Sequence, residues 1–455
     1  MRNRLFVPIA LAALFLSSCN SPSNTTPSAA ASDTAKIDGH PAWIMQGNIY
    51  EVNVRQYTPE GTFKAFEKHL PRLKEMGVQT LWFMPITPIG VTDRKGHLGS
   101  YYAVRNYTAI NPEFGTMDDW KALVKTCHDM GFKVITDWVA NHTSADHPWL
   151  TQFPDFYVKD STGKPTTPFD WTDARKLNYE NKAMQDSMIA SMQFWIRESG
   201  IDGFRCDVAE EVPVSFWKRA IDSLRVMKNV FMLAEGNKGN LHEAGFDASY
   251  TWDAFNDMKQ IALGKKPASQ LDSVLAKVDT TYPKNAICMY FTSNHDENSW
   301  NKADYGTMPG DQHAPFAVIT QTTKASVPLI YSGQEEPVTD SLSFFYKDTI
   351  NFANYSRANF YTKLLKLRNS NPALAANASF QKLALGNDQQ IYGFVREAGG
   401  KKVVVITNLS AQATKAKLTA AAAGQAKELF TDQSATLADG QELELAPWAY
   451  RVYVF

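Results

Sequence analysis

From about residue 48 the chain alternates short apolar runs, rich in Val, Ile, Phe and Met, with stretches of helical periodicity. "NIYEVNV" leads into "TFKAFEKHLPRLKEMG", and "TLWFMPI" leads through a loop into "TMDDWKALVKTCHDMG". Short runs of β-branched and aromatic residues predict strands, and apolar positions spaced three and four apart predict helices. Gly77 and Gly131 stand where helices should end, and Thr116 with Asp119 has the form of a capping box. Further runs follow at "KVITDWV", "GFRCDV", "VFMLAE", "AICMYFTS" and "VPLIYSG", with a weaker one at "ASYTW", giving eight strand candidates. Eight strands alternating with helices predict an α/β chain folded as a (β/α)8 TIM barrel over residues 42–374, with a doubly wound open sheet as the alternative.

Two regions leave this rhythm. Residues 143–180, between the third strand and the helix "NKAMQDSMIASMQFWIRESG", carry Gly, Pro and aromatics without periodicity. A connection of that length is usually functional, and it predicts a small inserted subdomain walling one side of a cleft. Over residues 375–455 the pattern becomes "QIYGFVRE", "KKVVVITNLS" and "ELELAPWAYRVYVF", short strands with turn signals, which predicts a C-terminal β-sandwich domain.

The N-terminus reads differently again. Arg2 and Arg4 precede "LFVPIALAALFL", too short to span a bilayer but fitting a secretory signal. The run ends in "LSSC", which resembles a bacterial lipobox, so residues 1–19 read as a lipoprotein signal peptide with Cys19 as the lipid attachment point. Residues 20–41, rich in Ser, Thr, Ala and Pro, read as a flexible tether. The expectation is an exported lipoprotein held in the cell envelope, on the periplasmic or the cell-surface face.

The totals narrow the chemistry. Lys plus Arg number 46 against 47 Asp plus Glu, so no bulk charge calls for a nucleic-acid partner. Cys127, Cys206 and Cys288 lack metal-ligand spacing and read as buried thiols. No CxxC, HExxH or phosphate-cradling glycine loop occurs, which removes the usual sequence support for zinc hydrolysis and nucleotide chemistry.

What remains is charge at the ends of apolar runs: Asp137 in "KVITD", Arg205 and Asp207 in "GFRCD", Glu235 in "VFMLAE", and His295 and Asp296 in "CMYFTSNHD". Any one of them alone would read as a structural ion pair. Together, at strand ends that converge on one barrel mouth, they point to a catalytic site. Carboxylates gathered without a cofactor motif suit acid–base and nucleophilic work on an acetal, which requires one protonated and one ionised group.

At these residues the sequence resembles glycoside hydrolase family 13, the α-amylase family. "DWVANH", "GFRCDVAEE", "MLAEG" and "FTSNHD" match its four ordered signature regions, flanked by "GSYYAV", "LNYEN" and "PLIYSGQE". The resemblance implies Asp207 as nucleophile, Glu235 as general acid/base and Asp296 as the carboxylate that stabilises the distorted sugar. It also implies that Arg205 holds Asp207 ionised, that His142 and His295 bond sugar hydroxyls, and that Tyr102 stacks on the ring, with Asp137 and Asn141 in supporting structural positions. The implied activity is retaining hydrolysis of α-1,4-glucosidic bonds in starch, maltodextrins or related α-glucans. The alternatives are a transglycosylase, isomerase or α-1,6-active member of the family and, less fittingly since the three acids are present, a noncatalytic glycan-binding protein. No cofactor is required on this reading. Calcium is the one ion the family suggests, through Asn141 and the loop carboxylates Asp146, Asp155, Asp160, Asp170 and Asp173. Against it, "VAEEVP" replaces a Lys-His pair that helps bind the ion in many relatives, and "RQYTPEGTF" lacks an acidic run, so no strong calcium requirement is expected.

Overall fold

A computed structural model describes residues 33–455. The signal segment, Cys19 and the first part of the tether lie outside the described residues. The tether also ends earlier than its composition suggests, because Lys36–Ile37 and His40–Pro41 pair antiparallel. His40 is buried, with Nδ1 2.8 Å from Asp247 Oδ1 and Nε2 2.7 Å from the Asn285 carbonyl oxygen. These two bonds tie to the barrel a segment that composition alone marks as loose.

Eight parallel strands close into a barrel in chain order: β1 (Ile49–Val52), β2 (Thr80–Phe83), β3 (Lys133–Val139), β4 (Gly203–Asp207), β5 (Phe231–Ala234), β6 (Ala248–Tyr250), β7 (Ile287–Tyr290) and β8 (Ser326–Tyr331). β8 pairs with β1 to complete the ring, which excludes the open doubly wound sheet. Helices sit between the strands as the periodicity predicts. The Thr116–Asp119 capping box opens Met117–Asp129, and Gly77 closes Leu70–Met76 at φ 100°, a left-handed position that glycine takes at little cost. The stretch 62–77 forms two helices, Phe63–Glu67 and Leu70–Met76, where periodicity predicts one. Pro71 has no N–H to continue a single ladder and lies instead in the first turn of the second helix.

The period of two along each strand sorts the core into shells. Tyr50, Val52, Leu81, Phe83 and Val134 point outward into the layer shared with the helices, while Ile49, Ile135, Leu233, Met289 and Leu329 fill the barrel interior. One step further along the same inward parity come Glu51, Asp137, Arg205 and Glu235. The apolar filling therefore gives way to charge as the strands approach their C-terminal ends.

The inserted segment departs from β3 through His142–Ser144, which pairs antiparallel with Ala174–Lys176. At the C-terminal end of the chain a six-stranded antiparallel sheet and a separate two-stranded one enclose a core that includes Leu385, Val404, Ile406, Ala416 and Leu445. The sheet's other face, through Tyr392, Phe394, Val403 and Val452, shares a core with Phe316 and Leu364 of the barrel helices. Arg396 crosses this junction buried, donating to the carbonyl oxygens of Thr322 (2.8 Å) and Ala375 (2.7 Å).

Candidate active site

Arg205 lies at the centre of the charged layer, fully buried, and reaches three carboxylates. Nη1 is 2.9 Å from Asp137 Oδ1 and 3.1 Å from Asp207 Oδ1, and Nη2 is 3.0 Å from Glu235 Oε2. The register explains the convergence: Asp137 on β3 stands opposite Arg205 on β4, two residues before Asp207, and β5 is the next neighbour. Gly203 permits this arrangement at the base of β4, since a Cβ there would sit 1.9 Å from the Phe231 carbonyl oxygen. Val208 follows Asp207 in a left-handed conformation (φ 34°, ψ 49°), unusual for a β-branched residue and costing about 1–3 kcal/mol. That conformation turns the Val208 N–H onto Glu235 Oε2 at 2.6 Å.

A cavity of about 420 Å³ opens above this layer, lined by Tyr102, His142, Asp207, Glu235 and Asp296 among others. Asp207 Oδ2 is buried without a hydrogen-bond partner among the described residues. Burial pushes the Asp207 carboxyl well up, the charge of Glu235 adds to that push, and Arg205 pulls against both. Asp137, Asp207 and Glu235 thus share one guanidinium, so the layer gathers more carboxylates than Arg205 alone can neutralise.

His295 and Asp296 lie in the first turn of the helix His295–Asn301, five and six residues past the end of β7 at Tyr290, and not at the strand's end as the apolar run suggests. Asn294 caps that helix by accepting from the Glu297 N–H at 2.8 Å, which ends the extended chain early. Burial works to raise the Asp296 carboxyl, but His295 outweighs it and holds the group below its ordinary value. His142 lines the cleft edge-on to Trp171, and burial pushes its pKa down to about 4, leaving a neutral ring. Tyr102 lies against His295 at 5.4 Å and donates its hydroxyl to Asp137 Oδ2 at 3.1 Å. Asn141 is buried beneath the cleft beside His142, with Nδ2 3.4 Å from Nδ1.

The residues suggested for calcium do not converge. Asp146 accepts from the Val91 N–H and the Ser144 hydroxyl, Asp155 pairs with Lys159, and Asp160 closes its own turn onto Thr162 and Lys164. Asp173 lies 3.5 Å from Lys95, and Asp170 lines the cleft. Among the described residues no group of three or more His, Cys, Asp or Glu is gathered for a metal. Calcium takes about six to eight oxygens, and this set does not supply them.

Sequence reasoning passed over Glu51, wholly buried on β1 with Oε1 2.5 Å from His295 Nδ1. Its signal was present, since Glu51 shares the parity of inward-facing Ile49. It also passed over Trp300, on the cleft wall near the end of the short helix His295–Asn301, and Phe344, 5.3 Å from it on the loop after β8.

The α-amylase catalytic-domain family model matches residues 28–175 and 168–243, and the maltogenic amylase C-terminal-domain model matches 380–452. A solved α-amylase from Lactobacillus plantarum is 30% identical, with a TM-score of 0.81, over 91% of this chain and 99% of that one. The chain belongs to the α-amylase family. Other α-amylase family relatives are longer. An α-amylase of Haloarcula japonica is 25% identical over 84% of this chain, and an α-1,4-glucan:maltose-1-phosphate maltosyltransferase of Rhodospirillum rubrum is 27% identical over 82%. The chain spans 58% of the length of each. Within the α-amylase family match fall Asp137, His142, Arg205, Asp207 and Glu235, whereas Asp296 and His295 lie beyond the matched segments and join the site through the fold.

Proposed function

We propose that this chain is a retaining glycosidase that hydrolyses α-1,4-glucosidic bonds in starch, maltodextrins or related α-glucans. The observation that carries the reading is the placement of Asp207 and Glu235 on neighbouring strands, sharing Arg205 at the floor of one cleft. Glu235 in its protonated form donates to the leaving glycosidic oxygen while Asp207 attacks the anomeric carbon. Protonating Glu235 removes a charge that pushes the Asp207 carboxyl up, so Arg205 then favours the ionised nucleophile. The deprotonated Glu235 next takes a proton from water, which attacks the glycosyl-enzyme ester and releases the sugar with its configuration retained. Asp296 and His295 hold the ring being distorted.

Asp207→Asn and Glu235→Gln should each lower kcat on maltodextrin by about three orders of magnitude or more while far-ultraviolet circular dichroism stays parental. Either variant turning over near the parental rate would remove the assignment. Proton NMR of the first products should show the α anomer, as expected of carboxyl groups about 5–5.5 Å apart.

A second reading, glycosyl transfer, is favoured by the similarity to the Rhodospirillum maltosyltransferase. A sugar hydroxyl in place of water would attack the same ester and give transfer, and products formed with excess acceptor sugar separate the two. Attachment to an envelope membrane through Cys19 rests on the "LSSC" sequence after the apolar run. Several acyl chains anchor stably where one does not. Lipid labelling that persists in Cys19→Ala would overturn it.

A further inference from the structure

His295 is enclosed by acceptors. On one side Glu51 Oε1 lies 2.5 Å from Nδ1; on the other, Nε2 lies 2.7 Å from the Tyr102 hydroxyl and 3.2 Å from Asp296 Oδ2. Tyr102 spends its own proton on Asp137 Oδ2, 3.1 Å away, so its oxygen is free to accept from Nε2–H. A neutral ring would have to aim a lone pair at one of the two flanking carboxylates, or reverse the Tyr102 bond and leave Asp137 Oδ2 with the longer Trp82 N–H contact, 3.3 Å, alone. The doubly protonated ring satisfies every contact at once. The hydrogen bonds then run in one direction, from His295 to Glu51 and from His295 through Tyr102 to Asp137.

We propose that Glu51 is a positioning residue for the reaction: by accepting the Nδ1–H of His295 it keeps that ring doubly protonated, so that Nε2–H faces Asp296 and the sugar bound beside it. The inference rests on the glycosidase reading above. Glu51 does not touch the cleft, and its second oxygen, Oε2, is buried without a partner among the described residues. A carboxylate so placed is costly unless it faces a cation. Burial pushes the Glu51 carboxyl up from its ordinary value and the charge of Asp137 adds to that, while His295 by contact and Arg205 on β4 at longer range pull against both. The other groups packed about the ring are Trp82 from β2, 6.0 Å away, and Phe344 from the loop after β8, 6.5 Å away; neither carries charge. Burial alone would favour the neutral imidazole, but Asp296 and Glu51 together raise it well above its ordinary range. Removing one of the two counter-charges should bring the ring's titration down into the working range.

The test compares kcat against pH, on maltodextrin, for the parent and Glu51→Gln, which keeps volume and an acceptor oxygen while removing the charge. The alkaline limb should move down by about one to three pH units, the shift associated with one opposite charge in contact, with kcat falling more than KM changes. In parallel, ¹⁵N NMR of histidine-labelled protein, with the His295 signals assigned by His295→Asn, should show both ring nitrogens protonated in the parent at pH 7 and a neutral tautomer in Glu51→Gln. A superimposable pH profile, or a loss of activity equal at every pH, would overturn the proposal. A neutral His295 in the parent would overturn it even if Glu51→Gln does not fold. A parent inactive on every α-glucan would instead fail the glycosidase reading, and the NMR comparison would still decide the role of Glu51.

Discussion

Gly203 shows how much of the site depends on a residue without a side chain. Its Cβ position is occupied by the Phe231 carbonyl oxygen, 1.9 Å away, so β4 and β5 can lie in register only with hydrogen there. Gly203→Ala should destabilise the fold by about 3 kcal/mol or more, read as a lower urea midpoint, since backbone cannot move aside as a flexible side chain can. An unchanged midpoint would mean that the strands part without cost. The same parity argument explains which residues were legible beforehand. Asp137, Arg205 and Asp207 stand out because an ion in an apolar run demands a partner, and the barrel brings their strands together. Glu51 obeys the same rule but lies within a run and not at its end, so attention to termini alone missed it. Trp300 and Phe344 could not have been found this way, because Trp300 lies in a helix of only seven residues, too short to show a period, and Phe344 lies in a loop.

Asp202, just before β4, binds the elements beneath the site. Its carboxylate accepts from the Val134 N–H at 2.8 Å and lies 2.8 Å from His128 Nε2 and 2.9 Å from Lys228 Nζ, joining a helix end, a strand start and a loop. Burial works to raise this carboxyl, but His128, Lys228 and Lys133 outweigh it and bring its pKa from 3.8 to about 2. A depressed folded-state value means stability that is fully present above the unfolded pKa and lost as pH falls from about 4 toward about 2, worth about 2 kcal/mol. Asp202→Asn should therefore lower the denaturant midpoint at pH 7 and narrow its gap to the parent near pH 2; a gap independent of pH would refute this origin. At this scale the barrel strands were legible, because alternation and length identify them. The break before Pro71 was visible in the residue and overlooked in the pattern. The paired segment 36–41 was not legible, because its order comes from contacts made by His40 more than two hundred residues away in sequence.

Residues 33–455 join a barrel to a β-sheet through a continuous apolar layer, with Arg396 donating across it to carbonyl oxygens and, among the described residues, no carboxylate as a hydrogen-bond partner. Burial lowers its pKa to about 10, still well above neutrality, so the cation is retained and solvated by backbone. The sequence marks the change of pattern near residue 375 but gives no sign that the two parts share a core, because alternation within a strand does not say what its face meets. Calorimetry should accordingly record a single heat-absorption peak for residues 33–455, and two resolved peaks would show that the layer is not cohesive. The shared layer also limits how this protein can be taken apart. The sheet is not a portable accessory that could be removed or exchanged: a chain stopped before Ser379 would expose Phe316, Leu364 and their neighbours to water as an adhesive face, and should be recovered as aggregate with every residue of the candidate site present.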